Sequence, residues 1–157
     1  LNVVEPALIH ITLKFLGEIR PERLSDVEGA LARVAAATPP FTLALEGFGA
    51  FPTLRKPRVI WMGAQATPEL RCLKQDLEWA LADCGFEAET RAFHPHLTLG
   101  RADPEDGAGA FRRLDELVAG IDVTSQVAVH TVDVMRSQLS REGAEYSVHS
   151  AAKLGGG

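Results

Sequence analysis

The sequence predicts a mixed α+β fold in which one arrangement of elements is used twice. Three observations predict it. Apolar spacing switches repeatedly between period two and a helical period along the 157 residues. Proline and glycine punctuate those switches, as they do at element boundaries. The order strand, helix, strand, turn, strand runs from His10 to Gly63 and recurs from His96 to Leu154. A chain of this length suits one domain, or two small lobes packed as one unit. Residues 1–157 are therefore expected to form a single bilobal domain, with 10–63 and 96–154 as its internal repeat.

Leu8 to Leu16 alternates and then turns apolar, as a strand does, and Gly17 ends it. Pro21 opens a helix to about Ala37, with Leu24, Val27, Leu31 and Val34 at helical spacing. Pro39-Pro40 stops it. Phe41 to Leu45 reads as a strand, and the segment holding Gly47, Gly49, Pro52 and Pro57 as a loop. Val59 to Gly63 is the next strand. Thr67 is a suitable N-cap and Pro68 a suitable first residue for a helix reaching about Cys84, with Gly85 as its stop. His96 to Arg101 is a short strand and Asp103 to Gly109 a polar loop. Ala110 to about Val118 reads as a third helix, Val123 to Met135 as a long strand, Ser137 to Gly143 as a turn, and Tyr146 to Leu154 as the last strand. Gly155-Gly156-Gly157 has no reason to be ordered. The second repeat is preceded by a helix and the first is not, so the repeat predicts a strand and helix before Leu1.

Composition narrows the partners. The formal net charge of −5 argues against a broad groove for long nucleic acid and favours contact with a nucleic-acid end. Cys72 and Cys84 fall in one expected helix, about 18 Å apart along its axis, beyond the roughly 7 Å a disulfide allows. Free thiols suit a reducing compartment, so a cytoplasmic location is expected. No apolar run is long enough to span a membrane as a helix. With no strongly apolar exposed helix expected, the chain is expected to be a monomer.

The chemistry lies in two tripeptides, His10-Ile11-Thr12 and His96-Leu97-Thr98, whose starts are 86 residues apart. Strand alternation puts each histidine and threonine on one face and the apolar residues on the other. If the lobes are related by a pseudo-two-fold axis, two imidazoles and two hydroxyls converge. Near neutrality one imidazole can accept a proton while the other donates one. Threonine hydroxyls can donate to phosphoryl oxygens as charge develops. That set suits phosphodiester cleavage.

Other readings carry less. His94-x-His96 with His10, His130 or His149 could ligate a metal, but no carboxylate or cysteine stands at a familiar ligand spacing, and no metal or cofactor is expected. His130 and His149 read as surface or structural residues. The glycine-rich Gly47 to Phe51 lacks the lysine and hydroxyl of a phosphate loop, although Phe48 or Phe51 can stack on a base. Arg55, Lys56 and Arg58 form a basic patch that suits either a ribose-phosphate backbone or solvent. Lys14 shares a face with Thr12 if the strand stays regular, and Arg101 follows the second motif, so both are candidate anion contacts. Tyr146 opens the last strand and reads as packing or as a substrate contact.

The runs His10-Ile-Thr-Leu-Lys-Phe-Leu-Gly-Glu18 and Pro95-His-Leu-Thr-Leu-Gly-Arg101 resemble the paired signatures of the 2H phosphoesterase superfamily. The chain is most similar to its RNA 2',3'-cyclic phosphodiesterase branch, also called 2'-5' RNA ligase. Phe48-Gly-Ala-Phe-Pro52, Pro57-Arg-Val-Ile-Trp61, Gly85-Phe86 and the Ser137 to Tyr146 turn extend the resemblance over nearly the whole chain. It implies an α+β fold of two pseudo-two-fold-related lobes, each an antiparallel sheet with helices outside, and a cleft between them. It implies His10 and His96 as the catalytic pair, Thr12 and Thr98 as phosphate-binding residues, and an RNA end with a 2',3'-cyclic phosphate as partner. The implied reaction is metal-free hydrolysis to a 2'-phosphate, with reversible 2'-5' ligation as a related activity. The resemblance also implies His96 as base and His10 as acid. Two alternatives stay open: a phosphodiesterase for small cyclic nucleotides, and a non-catalytic module that holds RNA ends.

Overall fold

The computed structural model describes residues 2–3, 8–53, 57–101, 124–141 and 143–155. The chain is α+β and bilobal, with antiparallel sheets and helices. It divides into two compact units, each drawn from three stretches of sequence. The first comprises Leu1–Thr12, Ala44–Gln65 and His94–Val127; the second comprises Leu13–Leu43, Ala66–Phe93 and Ala128–Gly157. This partition by packing cuts across the sequence repeat and puts both His-x-Thr tripeptides in the first unit.

The first unit is built on a five-stranded sheet of order β1-β4-β3-β2-β5. Its strands are β1 (Asn2–Val3), β2 (Phe41–Pro52), β3 (Pro57–Ala64), β4 (His96–Arg101) and β5 (Thr124–Val129). Antiparallel pairing joins β2 to β3, β3 to β4, and β1 to β4. The glycine-rich segment expected to be a loop is the second half of β2, paired with β3 through Pro52. Gly47 makes this possible: at φ +33° it forms the irregularity between Glu46 and Phe48, and the ladder resumes beyond it. The strand expected over Leu8 to Leu16 is reduced to one antiparallel bridge, Ile11 with Leu97.

The second unit packs α1 (Leu24–Ala37) and α2 (Pro68–Asp83) with a two-stranded ribbon, β6 (Thr131–Ser140) and β7 (Gly143–Lys153). Val27, Ala30, Leu31 and Val34 of α1 meet Leu73, Leu77 and Leu81 of α2, with Val132, Val134 and Leu154 completing the core. The helical spacing read from the sequence is thus the buried stripe. Thr67 caps α2 by accepting from the Leu70 amide, and Pro68 follows it. Gly85, at φ +93°, reverses the chain so that the Phe86 amide donates to the Leu81 carbonyl.

Three boundaries differ from expectation. The long strand expected from Val123 breaks at His130 into β5 and β6. The turn expected at 137–143 is mostly ladder, because Ser137 to Ser140 pair with Tyr146 to Gly143. Gly155 is ordered at φ +85°, its amide donating to the Ala35 and Thr38 carbonyls at the end of α1. The helix expected at 110–118 and the polar loop before it lie outside the described residues.

Candidate active site

The Ile11–Leu97 bridge joins the central residues of the two tripeptides. An antiparallel bridge has a local two-fold axis, so its register sets His10 across from Thr98 and Thr12 across from His96. Residues directly opposite in such a pair have Cβ atoms about 4.5–5.5 Å apart. In a continued ladder of that register the four polar side chains would share the face opposite to Ile11 and Leu97. The alternation argued from sequence acts here across one pair, within one unit.

The two histidines are held alike. His10 Nδ1 lies 2.7 Å from the Leu8 carbonyl oxygen, and His96 Nδ1 lies 2.8 Å from that of His94. A carbonyl only accepts, so each Nδ1 carries the proton it donates. Each ring then exchanges its other proton at Nε2, and both rings are oriented by the backbone two residues upstream.

Sheet register sorts the aromatic candidates. Phe48 pairs with Met62, and Met62 with Leu97, so Phe48 belongs to the apolar row that ends at Ile11. That row lies on the face opposite to His96. Phe51 lies on the other face, its ring 5.7 Å from that of His96. Trp61 pairs with Thr98 and Gly49 and stacks on Phe51 at 5.2 Å, with its ring 6.1 Å from His96. Gly49 is what lets the indole lie flat: a Cβ there would come 2.2 Å from Trp61 Cζ2. Trp61 Nε1 is buried and meets no acceptor among the described residues. Sequence reasoning did not single out Trp61 as a site residue, although the run Pro57 to Trp61 is part of the resemblance.

Arg101 reaches the histidine face through a bulge. Simple alternation over three residues would put it opposite to Thr98. The irregularity between Ile60 and Trp61 shifts the register so that Arg101 pairs with Val59, on the Trp61 side.

Lys14 is held by a carboxylate and a carbonyl. The chain leaves strand geometry after Ile11, so alternation no longer places it with Thr12. Its ammonium lies 2.7 Å from Glu78 Oε2 and donates to the Glu87 carbonyl, with the side chain 7% exposed. That buried ion pair commits its charge inside the second unit. Tyr146 lies in β7 of that unit, opposite Ser137. Arg55 lies outside the described residues. Of the other histidines, His130 is exposed between β5 and β6, and His149 Nε2 is 3.4 Å from Glu28 Oε1. Among the described residues no three His, Cys, Asp or Glu side chains gather as metal ligands, no helix is long and apolar enough to cross a membrane, and both cysteines are free thiols.

Two imidazoles oriented by the backbone, in His-x-Thr tripeptides joined by one bridge, are an arrangement that suits the two-histidine phosphoesterases. The chain belongs to the 2'-5' RNA ligase superfamily, whose family model matches residues 6–141. It is 33% identical over 147 residues to the RNA 2',3'-cyclic phosphodiesterase of Aeropyrum pernix, covering 93% of this chain and 82% of that protein. The protein of the same name from Thermotoga maritima is 32% identical over 152 residues, covering 95% and 77%. Among solved structures, a Thermus thermophilus protein matches with TM-score 0.76 at 28% identity, covering 98% of this chain and 82% of that one. Escherichia coli LigT in complex with 3'-AMP matches with TM-score 0.67 at 28% identity, covering 97% and 80%.

Proposed function

We propose that this protein is a cyclic phosphodiesterase that opens a 2',3'-cyclic phosphate at an RNA end and leaves a 2'-phosphate, with His10 and His96 as its proton-transfer pair. The observation that carries the reading is the Ile11–Leu97 bridge, whose register brings two His-x-Thr tripeptides together head to tail. The names of the relatives point to the same substrate.

In this reaction His96 Nε2 accepts a proton from water as the water oxygen bonds to phosphorus. The bond from phosphorus to O3' breaks, and His10 Nε2–H protonates the departing oxygen. The Nδ1 anchors keep each ring in the tautomer and orientation this requires. Thr12 and Thr98 hold the non-bridging oxygens, and Arg101 offers a cation on the same face. Phe51 supplies a ring on which the terminal base can stack. An RNA 5'-hydroxyl in place of water would give 2'-5' ligation by the same proton transfers.

The test is incubation with an RNA ending in a 2',3'-cyclic phosphate, with and without EDTA, and identification of the product. A 2'-phosphate in both conditions is expected. Activity lost with EDTA would overturn the metal-free route, and tight binding without product would favour an RNA-end binder. Preference for a small cyclic nucleotide would reassign the substrate. Changing His10 or His96 singly to Ala should each lower kcat by about 10²–10⁴-fold. If either variant kept wild-type turnover, the paired acid–base mechanism would be wrong.

A further inference from the structure

The two tripeptides are supported very unequally. His96-Leu97-Thr98 lies in β4, with register partners Gly63, Met62 and Trp61 along β3. Among the described residues the sheet pairing of His10-Ile11-Thr12 is one bridge at Ile11, beside the anchor of the His10 ring on the Leu8 carbonyl, and no regular strand carries the chain on from Thr12. A catalytic group must be held closely, so the contacts that hold the chain where it leaves the first motif bear on its placement.

That chain is gripped at its next two residues. Lys74 of α2 donates to the Leu13 carbonyl, one residue past Thr12. The Lys14 ammonium is held at 2.7 Å by Glu78 and by the Glu87 carbonyl. Glu78 joins the two grips: Oε2 accepts from Lys14 and from the Glu89 amide, and Oε1 accepts from Lys74 at 2.8 Å. Lys74 is completed by Glu89 Oε2 at 2.7 Å and sits 5.6 Å from the Phe93 ring centre. Glu78 is buried, at 6% exposure. A lone buried carboxylate is expensive and one with three donors is stable, so removing its charge weakens the hold on both lysines at once.

We infer that Glu78 is a positioning residue for the first motif: through Lys14 and Lys74 it fixes residues 13 and 14, and so the placement of His10 and Thr12. It touches no reacting atom. This inference rests on the reading of His10 as catalytic under Proposed function.

The experiment uses the whole protein and an RNA oligonucleotide ending in a 2',3'-cyclic phosphate. Thermal unfolding is followed in parallel, and rates are normalised to folded protein well below the midpoint. E78Q should lose roughly 10- to 100-fold in kcat, as a displaced proton donor does, with KM changed by less than about 3-fold. K74M, which removes the grip on the Leu13 carbonyl, should lose kcat to a similar degree, and K74R should recover most of it. K74M carries the test if E78Q does not fold. A purely structural role would lower the unfolding midpoint and leave normalised kcat at the wild-type value; that result, or a change confined to KM, overturns the inference. If the wild-type protein itself yields no product, the functional reading fails instead.

Discussion

Gly49 is the most exposed test of how the site is built. Its φ is not in the left-handed region, so alanine meets no backbone penalty there, and the effect of a methyl group is steric alone. The added Cβ would meet Trp61 Cζ2 at 2.2 Å, Cη2 at 2.6 Å and Cε2 at 2.7 Å. Ordinary carbon contacts need more than about 1 Å of additional separation. The indole cannot simply lift away, because Phe51 is stacked on it. Overpacking of this kind costs about 1–3 kcal/mol. For a chain of this size a loss of about 2 kcal/mol lowers the unfolding midpoint by roughly 4–8 °C. Both displaced rings flank His96, so Gly49→Ala should also lower kcat by roughly 10-fold or more. The assay is a double-mutant cycle with Trp61→Phe, read by thermal unfolding and by turnover. Phenylalanine withdraws the ring atoms that clash, and it removes an indole N–H that has no acceptor among the described residues. Gly49→Ala should cost much less in that background, with a coupling of about 1–2 kcal/mol. An equal loss in both backgrounds, or no loss in either, would refute the steric reasoning.

Two further outcomes follow from the second unit. Burial alone would raise the Glu78 pKa, but hydrogen bonds from Lys14, Lys74 and the Glu89 amide, with the Lys74 charge, outweigh it and lower the carboxyl to about 2. The unfolded chain therefore takes up this proton first as pH falls, so the stability Glu78 contributes is present above pH 4.5, the reference value, and is lost between there and about 2. That contribution is about 3 kcal/mol, so the stability advantage of the wild type over E78Q should shrink by about that much across the window in denaturant titrations. A pH-independent difference would contradict it. At the other end of the same helix, Thr67→Ala removes the N-cap bond to the Leu70 amide, a long one at 3.4 Å. It should cost about 0.5–1 kcal/mol and lower the unfolding midpoint by about 1–4 °C, with turnover unaffected.

Local chemistry made much of this protein legible from its residues. The apolar stripes of α1 and α2 were readable because helical spacing reports burial directly, and Thr67, Pro68 and Gly85 marked the ends of α2 through their own backbone preferences. His10, Thr12, His96 and Thr98 stood out because a short pattern of scarce residues occurred twice. Other features depend on contacts between distant residues, which no local pattern encodes. Gly47 read as a loop residue because its positive φ suits turns, yet here it forms an irregularity inside a strand whose pairing continues. Phe48 and Phe51 looked equivalent until register put one on each face. Arg101 reached the histidine side only through a bulge. Lys14 looked available to an anion because its partner, Glu78, lies 64 residues away in α2. The sequence by itself determined which side chains can do the chemistry and which faces must be buried, since those follow from residue type and period. Only the tertiary structure decided which candidates meet, because register, bulges and buried ion pairs are set by partners remote along the chain.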